Sequence, residues 1–361
     1  MFKAEELFQN ITDKNHPDET VLTIIQGKGT LPREQAGRNI HYDDASLSNY
    51  KKVEQGDFII HLRSFEGGLE MANEAGIVSP AYTILRCKRP HSSLFYDAYF
   101  HTDEFINHNL SKSVEGIRDG RQISYEAFKW LGIPYCEPTE QEKISNLFAA
   151  LSERIAKQRD LVESLKKYKR GVTEAIFTKD LRFTTKGVPY PQWDKKYVGD
   201  ICKIQTGKSN TQDETSQGSY PFYVRSPIIR KSNRYLFDCE AVLTVGDGVG
   251  TGKVFHYVTG KFDLHQRVYA MTDFKIVSGK YFYYYFSHFF YDRVMRMTAK
   301  TSVDSVRYEM IDKMTIQIPC HEEQQQIVSF LDCLEHSVIE AEKTLNLLEK
   351  LKSGCLQQLF I

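Results

Sequence analysis

The seven cysteines of this 361-residue chain include no CxxC pair and no spacing typical of a disulfide framework. Structural zinc sites usually use closely spaced cysteines, so the pattern argues against one. It fits reduced thiols, and the opening MFKAEELFQN has no charged-then-apolar leader, so we expect a cytoplasmic protein. The aromatic run YFYYYFSHFFY at 281–291 is too short and too rich in tyrosine to span a bilayer.

Motifs for common catalytic chemistry are also missing. In CKIQTGKS at 202–209, Cys202 stands where a phosphate-binding loop needs glycine, so we interpret this stretch as a strand and a turn. In GDGVGTG at 246–252, Thr251 replaces the third glycine of a dinucleotide motif, which favours a glycine turn close to a ligand backbone. Binding is therefore favoured over catalysis, and an enzyme with a dispersed catalytic set stays open as an alternative.

The formal net charge is zero, but charge is distributed unevenly along the chain. Residues 1–133 carry 15 basic and 19 acidic side chains, whereas residues 182–318 carry 20 basic and 13 acidic ones. Residues 134–181 carry 9 and 8, and residues 319–361 carry 3 and 7. The basic second segment favours a polyanionic partner, and the acidic first segment does not.

One phrase recurs at an offset of 183 residues, as KYKRGVTEAIF at 167–177 and KLKSGCLQQLF at 350–360. Similar proline-containing segments, LGIPYCEPTEQ and IQIPCHEEQ, precede the two copies. A period this long exceeds that of solenoid repeats and predicts a duplicated unit, a globular domain followed by a helix. Identical pairs include Glu140 with Glu323, Gln141 with Gln324, Ile144 with Ile327, Leu151 with Leu334, Leu165 with Leu348, Gly171 with Gly354 and Phe177 with Phe360.

Apolar residues in both copies alternate at steps of four and three, the heptad pattern of a coiled coil. A helix of roughly 35 residues would be about 50 Å long, and its single apolar seam needs a partner. We therefore predict that the two copies pack on each other, with the polar Gln158 helping to set the register. Two helices packed separately on their own domains are the alternative. The seam positions are Ile144, Phe148, Leu151, Ile155, Val162, Leu165, Ile327, Leu331, Leu334, Val338, Leu345 and Leu348.

Both globular segments follow the same predicted order of elements. In the second, YLFDCEAVLTVGDG predicts a strand and a glycine turn, and GKVFHYVTGKFDLHQRVYAMT predicts further strands. SGKYFYYYFSHFFYDRVMRMTA then predicts a helix with its aromatic side chains buried. In the first, the same order of strand with glycine turn, next strand and helix is predicted for VEQGDFIIHLRSFEGG, GIVSPAYTILRC and LFYDAYFHTDEFINHNL.

The two proline-containing segments, the two helix ends and the opening PQWDKKYVGDICKIQTGKS of the second half together resemble the DNA-specificity subunits of type I restriction–modification systems. The resemblance covers nearly the whole chain, and the helix pair is its most specific part. One departure stands out. The first half starts at MFKAEELFQNI, so we expect it to lack a counterpart of PQWDKKYVGDICKI, whether clipped or naturally short.

The resemblance implies an α+β protein. Two mixed α/β target-recognition domains, 1–133 and 182–318, would be joined by two long antiparallel helices, 134–181 and 319–361, that form a coiled coil. Each domain would read one half of a bipartite site in double-stranded DNA, and the helices would space the domains and dock two methyltransferase subunits. Those subunits would bind S-adenosylmethionine, and restriction subunits, where present, would use ATP and Mg²⁺. The chain itself would bind no cofactor or metal and catalyse nothing.

We expect DNA contacts from basic and amide side chains in the polar loops. Arginine and glutamine suit bidentate hydrogen bonds to guanine and adenine edges, and lysine suits phosphates. A solvated surface charge is the alternative for each residue, and a duplicated scaffold without DNA specificity is the alternative for the chain. The candidates are Lys28, Arg63, Arg121, Gln122, Lys208, Arg225, Arg230, Arg234, Lys253, Arg267, Lys300 and Arg307.

Overall fold

The chain divides into two compact units, Met1–Arg159 with Lys343–Ile361 (unit 1) and Asp160–Glu342 (unit 2). Each unit contains one globular part and a portion of both long helices. Within the described ranges, no helix is both long enough and apolar enough to cross a membrane. The computed structural model describes residues 1–36, 44–116, 121–248, 250–297 and 305–360.

The globular part of unit 1 consists of short strands and helices that lead into the first long helix. A π-helix, Glu104–Asn109, follows the third helix. In chain order the elements are β1 Phe2–Lys3, α1 Ala4–Leu7, β2 Phe8–Ile11, β3 Leu22–Ile25, β4 Gly29–Pro32, β5 Lys51–Val53, β6 Phe58–Ile60, α2 Ser64–Gly67, β7 Glu70–Met71, β8 Gly76–Val78, β9 Thr83–Cys87, α3 Ser93–Phe100, β10 Val114–Glu115, β11 Gln122–Ile123, α4 Tyr125–Phe128, β12 Gly132–Ile133 and the long helix α5 Pro138–Thr178.

Unit 2 has longer strands and a longer helix within its globular part. In chain order its elements are β13 Thr184–Thr185, β14 Val188–Pro189, β15 Asp194–Tyr197, α6 Val198–Ile201, β16 Lys203–Thr206, β17 Tyr220–Tyr223, β18 Arg230–Ser232, β19 Phe237–Asp238, β20 Ala241–Val245, β21 Phe255–Val258, β22 Lys261–Leu264, β23 Val268–Thr272, α7 Gly279–Met297, α8 Tyr308–Asp312, β24 Thr315–Ile318 and the long helix α9 His321–Leu359.

The duplication extends to the topology of the main sheet. Unit 1 contains an antiparallel sheet of order β2-β9-β6-β7, and unit 2 contains one of order β16-β23-β20-β21, with corresponding elements at corresponding positions. Unit 2 adds a sheet of order β18-β17-β22-β19, in which β17 and β22 run parallel. The mixed α+β architecture predicted from the sequence is therefore confirmed.

The expectation that the first half lacks a counterpart of the second half's opening is wrong. β1, α1 and β2 repeat the strand, short helix and strand of β15, α6 and β16, and β1 pairs with β12 as β15 pairs with β24. The two short helices share only their burial pattern. Ala4 and Leu7 are buried in one, and Val198 and Ile201 in the other. Because the residues between them are not buried, they are free to differ, and little identity remains to be recognised.

Two further predictions for unit 1 need correction. GIVSPAYTILRC forms two strands, β8 and β9, because a turn closed by the hydrogen bond from Tyr82 N to Ser79 O interrupts it. The predicted helix of LFYDAYFHTDEFINHNL ends at Phe100, and the π-helix follows. In unit 2, YLFDCEAVLTVGDG forms two strands, β19 and β20, and the other strands and the helix α7 lie where the sequence predicts them.

The core of unit 2 is dominated by the aromatic face of α7. Phe282, Phe286 and Phe290 recur every four residues, so their rings stack along one side, with centroid separations of 5.2 and 4.3 Å. Phe255 on β21 meets Phe286 edge-on at 5.8 Å. Phe177, in the last turn of α5, lies 5.0 Å from the Tyr285 ring. These contacts fix the end of the long helix against the sheet-and-helix domain of the same unit.

Candidate nucleic-acid interface

Four loop segments of unit 2 converge at the ends of its two sheets. They are residues 207–210 after β16, 224–229 between β17 and β18, 246–248 with 250–254 between β20 and β21, and 265–267 between β22 and β23. Backbone hydrogen bonds tie three of these segments together, and the contact of Arg225 with Asp247 joins residues 224–229 to them. Gln266 N donates to Ser209 O at 2.9 Å, and Gly246 N donates to Arg267 O at 2.8 Å. The cluster is thus a single surface, which we call the loop face of unit 2.

Two of the predicted arginines meet on this face. Arg225 Nη1 lies 3.4 Å from Asp247 Oδ1, and Arg267 Nη1 lies 3.4 Å from Asp247 Oδ2. Their side chains are 48% and 62% exposed, so solvent reaches both guanidinium groups. One carboxylate therefore orients two arginines, and the group carries a net positive charge of one.

His265 lies beneath this pair and is almost fully buried. Burial lowers its pKa, Arg225 and Arg267 lower it further, and Asp247 opposes them. Its Nδ1 accepts a hydrogen bond of 3.0 Å from the backbone N–H of Arg267, which fits a neutral ring with the proton on Nε2. A neutral histidine supports the turn without adding a buried positive charge beneath the two arginines.

Arg234 is placed differently from the other predicted arginines. Its Nη2 lies 2.9 Å from Ser209 Oγ and 2.8 Å from Asp213 Oδ2, and its Nε lies 3.5 Å from Asp263 Oδ2. Asp263 is fully buried and accepts a 2.6 Å hydrogen bond from Ser209 Oγ. Because a buried carboxylate requires compensation, Arg234 stabilises the fold at this point.

The remaining candidates of unit 2 lie on exposed positions. Arg230 Nη1 lies 2.9 Å from Glu214 Oε1. Lys208 follows β16, Lys253 places its ammonium group 5.0 Å from the Tyr291 ring centroid, and Arg307 precedes α8. Lys300 lies outside the described residues.

In unit 1, Lys28 occupies the tip of the β3–β4 hairpin. The Glu70 carboxylate accepts hydrogen bonds from Gly27 N at 2.6 Å and Gly29 N at 2.9 Å, so it holds both sides of this tip. Both glycines have positive φ, and a Cβ on Gly29 would lie 2.5 Å from the Met71 carbonyl oxygen. Glu70 is fully buried, and no pattern in the sequence predicts that it would hold this turn.

Glu70 also contacts His101, with 3.4 Å between Oε1 and Nε2. Burial disfavours the charged imidazole, but the Glu70 hydrogen bond and the Asp97 carboxylate outweigh it and raise the pKa of His101 to about 9.

The other candidates of unit 1 are exposed. Arg63 precedes α2, Gln122 lies on β11, and Arg121 stacks on the Phe65 ring at 4.2 Å.

The long helices run antiparallel within each unit. In unit 1, Arg159 Nη2 lies 2.9 Å from Glu349 Oε1, and Lys352 Nζ lies 2.8 Å from Ser152 Oγ. In unit 2, Lys166 Nζ lies 2.9 Å from Glu342 Oε1, and Lys169 pairs with Glu335. Among the seam positions, Phe148, Ile155, Val162, Ile327, Leu331 and Val338 are buried, and Ile144, Leu151, Leu165, Leu334, Leu345 and Leu348 are half-buried.

A buried glutamine at the start of each long helix holds that helix against the globular part of the same unit. Gln141 Oε1 accepts a 2.9 Å hydrogen bond from Ser92 N, just before α3. Gln324 Oε1 accepts one of the same length from Ser278 N, just before α7. The repeated glutamines therefore make the same contact in both units.

Among the described residues, no three His, Cys, Asp or Glu side chains are grouped to hold a metal ion.

Comparison with known sequences identifies a family that covers the loop face of unit 2 and relatives that match part of the chain. Residues 190–352 match the family model described as "Type I restriction modification DNA specificity domain". The chain is 27% identical over 142 residues to the type I restriction enzyme EcoDI specificity subunit of Escherichia coli, covering 39% of this chain and 31% of that protein. It is 24% identical over 187 residues to the MjaVIII specificity subunit of Methanocaldococcus jannaschii, covering 48% and 43%. It thus spans less than half the length of these two relatives.

Solved structures extend the similarity in fold to the whole chain. The S subunit of a type I restriction–modification system from M. genitalium has a TM-score of 0.64 at 13% identity, covering 100% of this chain and 95% of that one. The HsdS subunit from Thermoanaerobacter tengcongensis has a TM-score of 0.53 at 16% identity, covering 99% and 95%. Unit 2 therefore contains most of the match to a type I DNA-specificity domain, and the whole chain has the S-subunit fold. The resemblance predicted from the sequence, to specificity subunits of type I restriction–modification systems, is confirmed.

Proposed function

We propose that this chain is the DNA-specificity subunit of a type I restriction–modification complex. Each globular domain reads one half of a bipartite site in double-stranded DNA. The long helices set the gap between the half-sites and dock two methyltransferase subunits, which carry S-adenosylmethionine. Restriction subunits that use ATP and Mg²⁺ complete the complex where the host encodes them. The chain itself supplies recognition and no catalysis.

The loop face of unit 2 is the observation that carries this proposal. It lies within residues 190–352, which match the specificity-domain family, and it groups Arg225 and Arg267 around one carboxylate. Partly exposed arginines held by a carboxylate keep their orientation and offer several N–H donors to base edges or phosphates. The repeated sheet order supports a second reader of the same kind in unit 1.

Methylation sequencing of the host genome tests the proposal. Deleting the gene should abolish adenine methylation at one bipartite motif, and restoring the gene on a plasmid should bring that motif back. A matched plasmid in which the start codon is destroyed serves as the control. A methylome unchanged by the deletion would refute the proposal and leave a scaffold without DNA specificity as the better explanation.

The non-catalytic role has its own test. Highly purified chain, incubated with DNA, S-adenosylmethionine, ATP and Mg²⁺, should neither methylate nor cleave the DNA. Adding the methyltransferase subunit of the same host's type I system should start methylation. Turnover that stays with the isolated chain through repeated purification would instead place a catalytic site in this chain.

A further inference from the structure

Two adjacent isoleucines are exposed at the tip of the β17–β18 hairpin. Ile228 is 61% and Ile229 50% exposed, in the loop RSPIIR that runs from Arg225 to Arg230. Single exposed apolar residues are common on protein surfaces. A pair at a hairpin tip between two arginines is a more specific arrangement, because it combines an apolar point with flanking positive charge.

The base of this hairpin is held on both sides. Arg225 Nη1 lies 3.4 Å from Asp247 Oδ1, and Arg230 Nη1 lies 2.9 Å from Glu214 Oε1. Within the loop, Ile228 N donates a 3.2 Å hydrogen bond to Ser226 Oγ, and Pro227 restricts the backbone. These contacts hold the loop in one conformation, so it loses little conformational entropy when it binds.

The glycine turn between β20 and β21 lies against the base of this hairpin. A Cβ on Gly250 would lie 3.3 Å from the Arg225 carbonyl oxygen, so the backbones of the two loops approach closely. The isoleucine tip is thus part of the loop face, next to Arg225 and Arg267, and not a separate surface.

The positive charge around the tip indicates a negatively charged partner. Residues 182–318 carry 20 basic and 13 acidic side chains, and Arg225, Arg230 and Lys231 flank the isoleucines with exposed cations. Duplex DNA offers the complementary pattern, since phosphates line its grooves and the thymine methyl groups are exposed in the major groove.

We propose that Ile228 and Ile229 enter a DNA groove and contact the bases of one half-site, while Arg225 and Arg230 bind the flanking phosphates. This inference rests on the proposed function and adds two specificity-determining residues to it. The isoleucines contribute sequence preference by apolar contact, and the arginines contribute affinity that depends on salt.

The test compares binding of the full chain to two duplexes of equal length, one with the mapped bipartite motif and one with that motif scrambled. The double substitution Ile228→Ala with Ile229→Ala should weaken binding to the motif duplex by about tenfold or more. Its binding to the scrambled duplex should stay within about twofold of wild type, and the salt dependence should not change, because no charge is removed.

Two control variants separate this effect from a general one. Val188→Ala removes an apolar side chain that is 67% exposed elsewhere in unit 2, and it should leave both affinities unchanged. Ile228→Leu with Ile229→Leu keeps the apolar tip and should retain binding within about threefold of wild type. Thermal unfolding of each variant confirms that the fold is intact.

Three results would overturn the inference. The alanine variant could bind the motif duplex as tightly as wild type, or it could bind DNA normally and lose only its methyltransferase subunits, which would make the tip a protein-docking surface. If wild-type chain itself does not prefer the motif duplex, the proposed function fails and the inference fails with it.

Discussion

The Arg182 guanidinium donates two hydrogen bonds to the Glu323 carboxylate, with 2.9 Å from Nε to Oε1 and 3.0 Å from Nη2 to Oε2. Glu323 is fully buried and also accepts a 2.8 Å hydrogen bond from Trp193 Nε1. The pair fastens the segment after α5 to the first turn of α9 within unit 2. Glu140, the counterpart of Glu323 in the sequence repeat, is exposed, so one repeated residue has two different roles.

Replacing Arg182 with alanine should destabilise unit 2. Removal of one partner leaves the Glu323 charge buried with Trp193 as its remaining side-chain donor, which typically costs about 3–5 kcal/mol. Urea unfolding followed by tryptophan fluorescence measures the loss. Glu140→Ala is the matched control and should change the free energy of unfolding by less than about 0.5 kcal/mol. Equal effects of the two substitutions would contradict the assigned role of the buried pair.

The stability of unit 1 should depend on pH through His101. Its folded pKa is raised from 6.5 to about 9, so its contribution is fully present below pH 6.5 and is lost as pH rises through about 9. A shift of this size corresponds to about 3 kcal/mol. Unfolding measured between pH 6 and pH 10 should show this decline in wild type.

His101→Gln keeps a hydrogen-bond donor and removes the titration. The difference in unfolding free energy between wild type and this variant should therefore shrink as pH rises from 6.5 to 9. A difference that stays constant over this range would show that the contact between Glu70 and His101 does not hold a proton in the folded protein.

Arg234 should matter for folding more than for DNA contact. Arg234→Ala leaves Asp263 fully buried with Ser209 as its side-chain donor, and this should lower the free energy of unfolding by about 1–3 kcal/mol. Arg230→Ala breaks an ion pair with Glu214, whose side chain is 34% exposed and not buried like Asp263, and should cost less than about 1 kcal/mol. Chemical denaturation of the two variants side by side measures both losses. A larger loss for Arg230→Ala would contradict the structural role assigned to Arg234.

Local sequence patterns predict the long helices, the aromatic helix α7 and most strands of unit 2, because heptads and alternating runs lie within one segment. They do not predict which strands become neighbours, and for this reason they do not predict the contacts made by Arg234 or at the turn around Lys28. Asp263 and Glu70 lie 29 and 42 residues away in sequence and reach these sites only through sheet pairing. Arg225 and Arg230 of the loop RSPIIR are among the predicted DNA contacts, but Ile228 and Ile229 are not, because two adjacent isoleucines do not distinguish an exposed hairpin tip from a buried strand.

The helix pair should act as a ruler between the half-sites. Adding one heptad to both α5 and α9 preserves the apolar seam and lengthens each helix by about 10 Å. At roughly 3.4 Å per base pair, the gap in the methylated motif should grow by about three base pairs. Lengthening one helix alone is the control and should disrupt the seam and the activity. An active variant with both heptads and the original gap would show that these helices do not set the distance.

The assignment of one half-site to each unit is best tested by the methylome of a host carrying Arg225→Ala with Arg267→Ala. Both side chains lie on the loop face of unit 2 and bond the same Asp247 carboxylate, away from the buried Asp263. Arg225 binds a flanking phosphate in this account, and Arg267 offers its donors to base edges. We therefore expect the double variant to have a motif in which one half becomes degenerate through the loss of Arg267, while the other half and the gap between them are unchanged. Loss of sequence preference in both halves at once, or an unaltered motif at full methylation, would show that unit 2 does not read one half-site through this face.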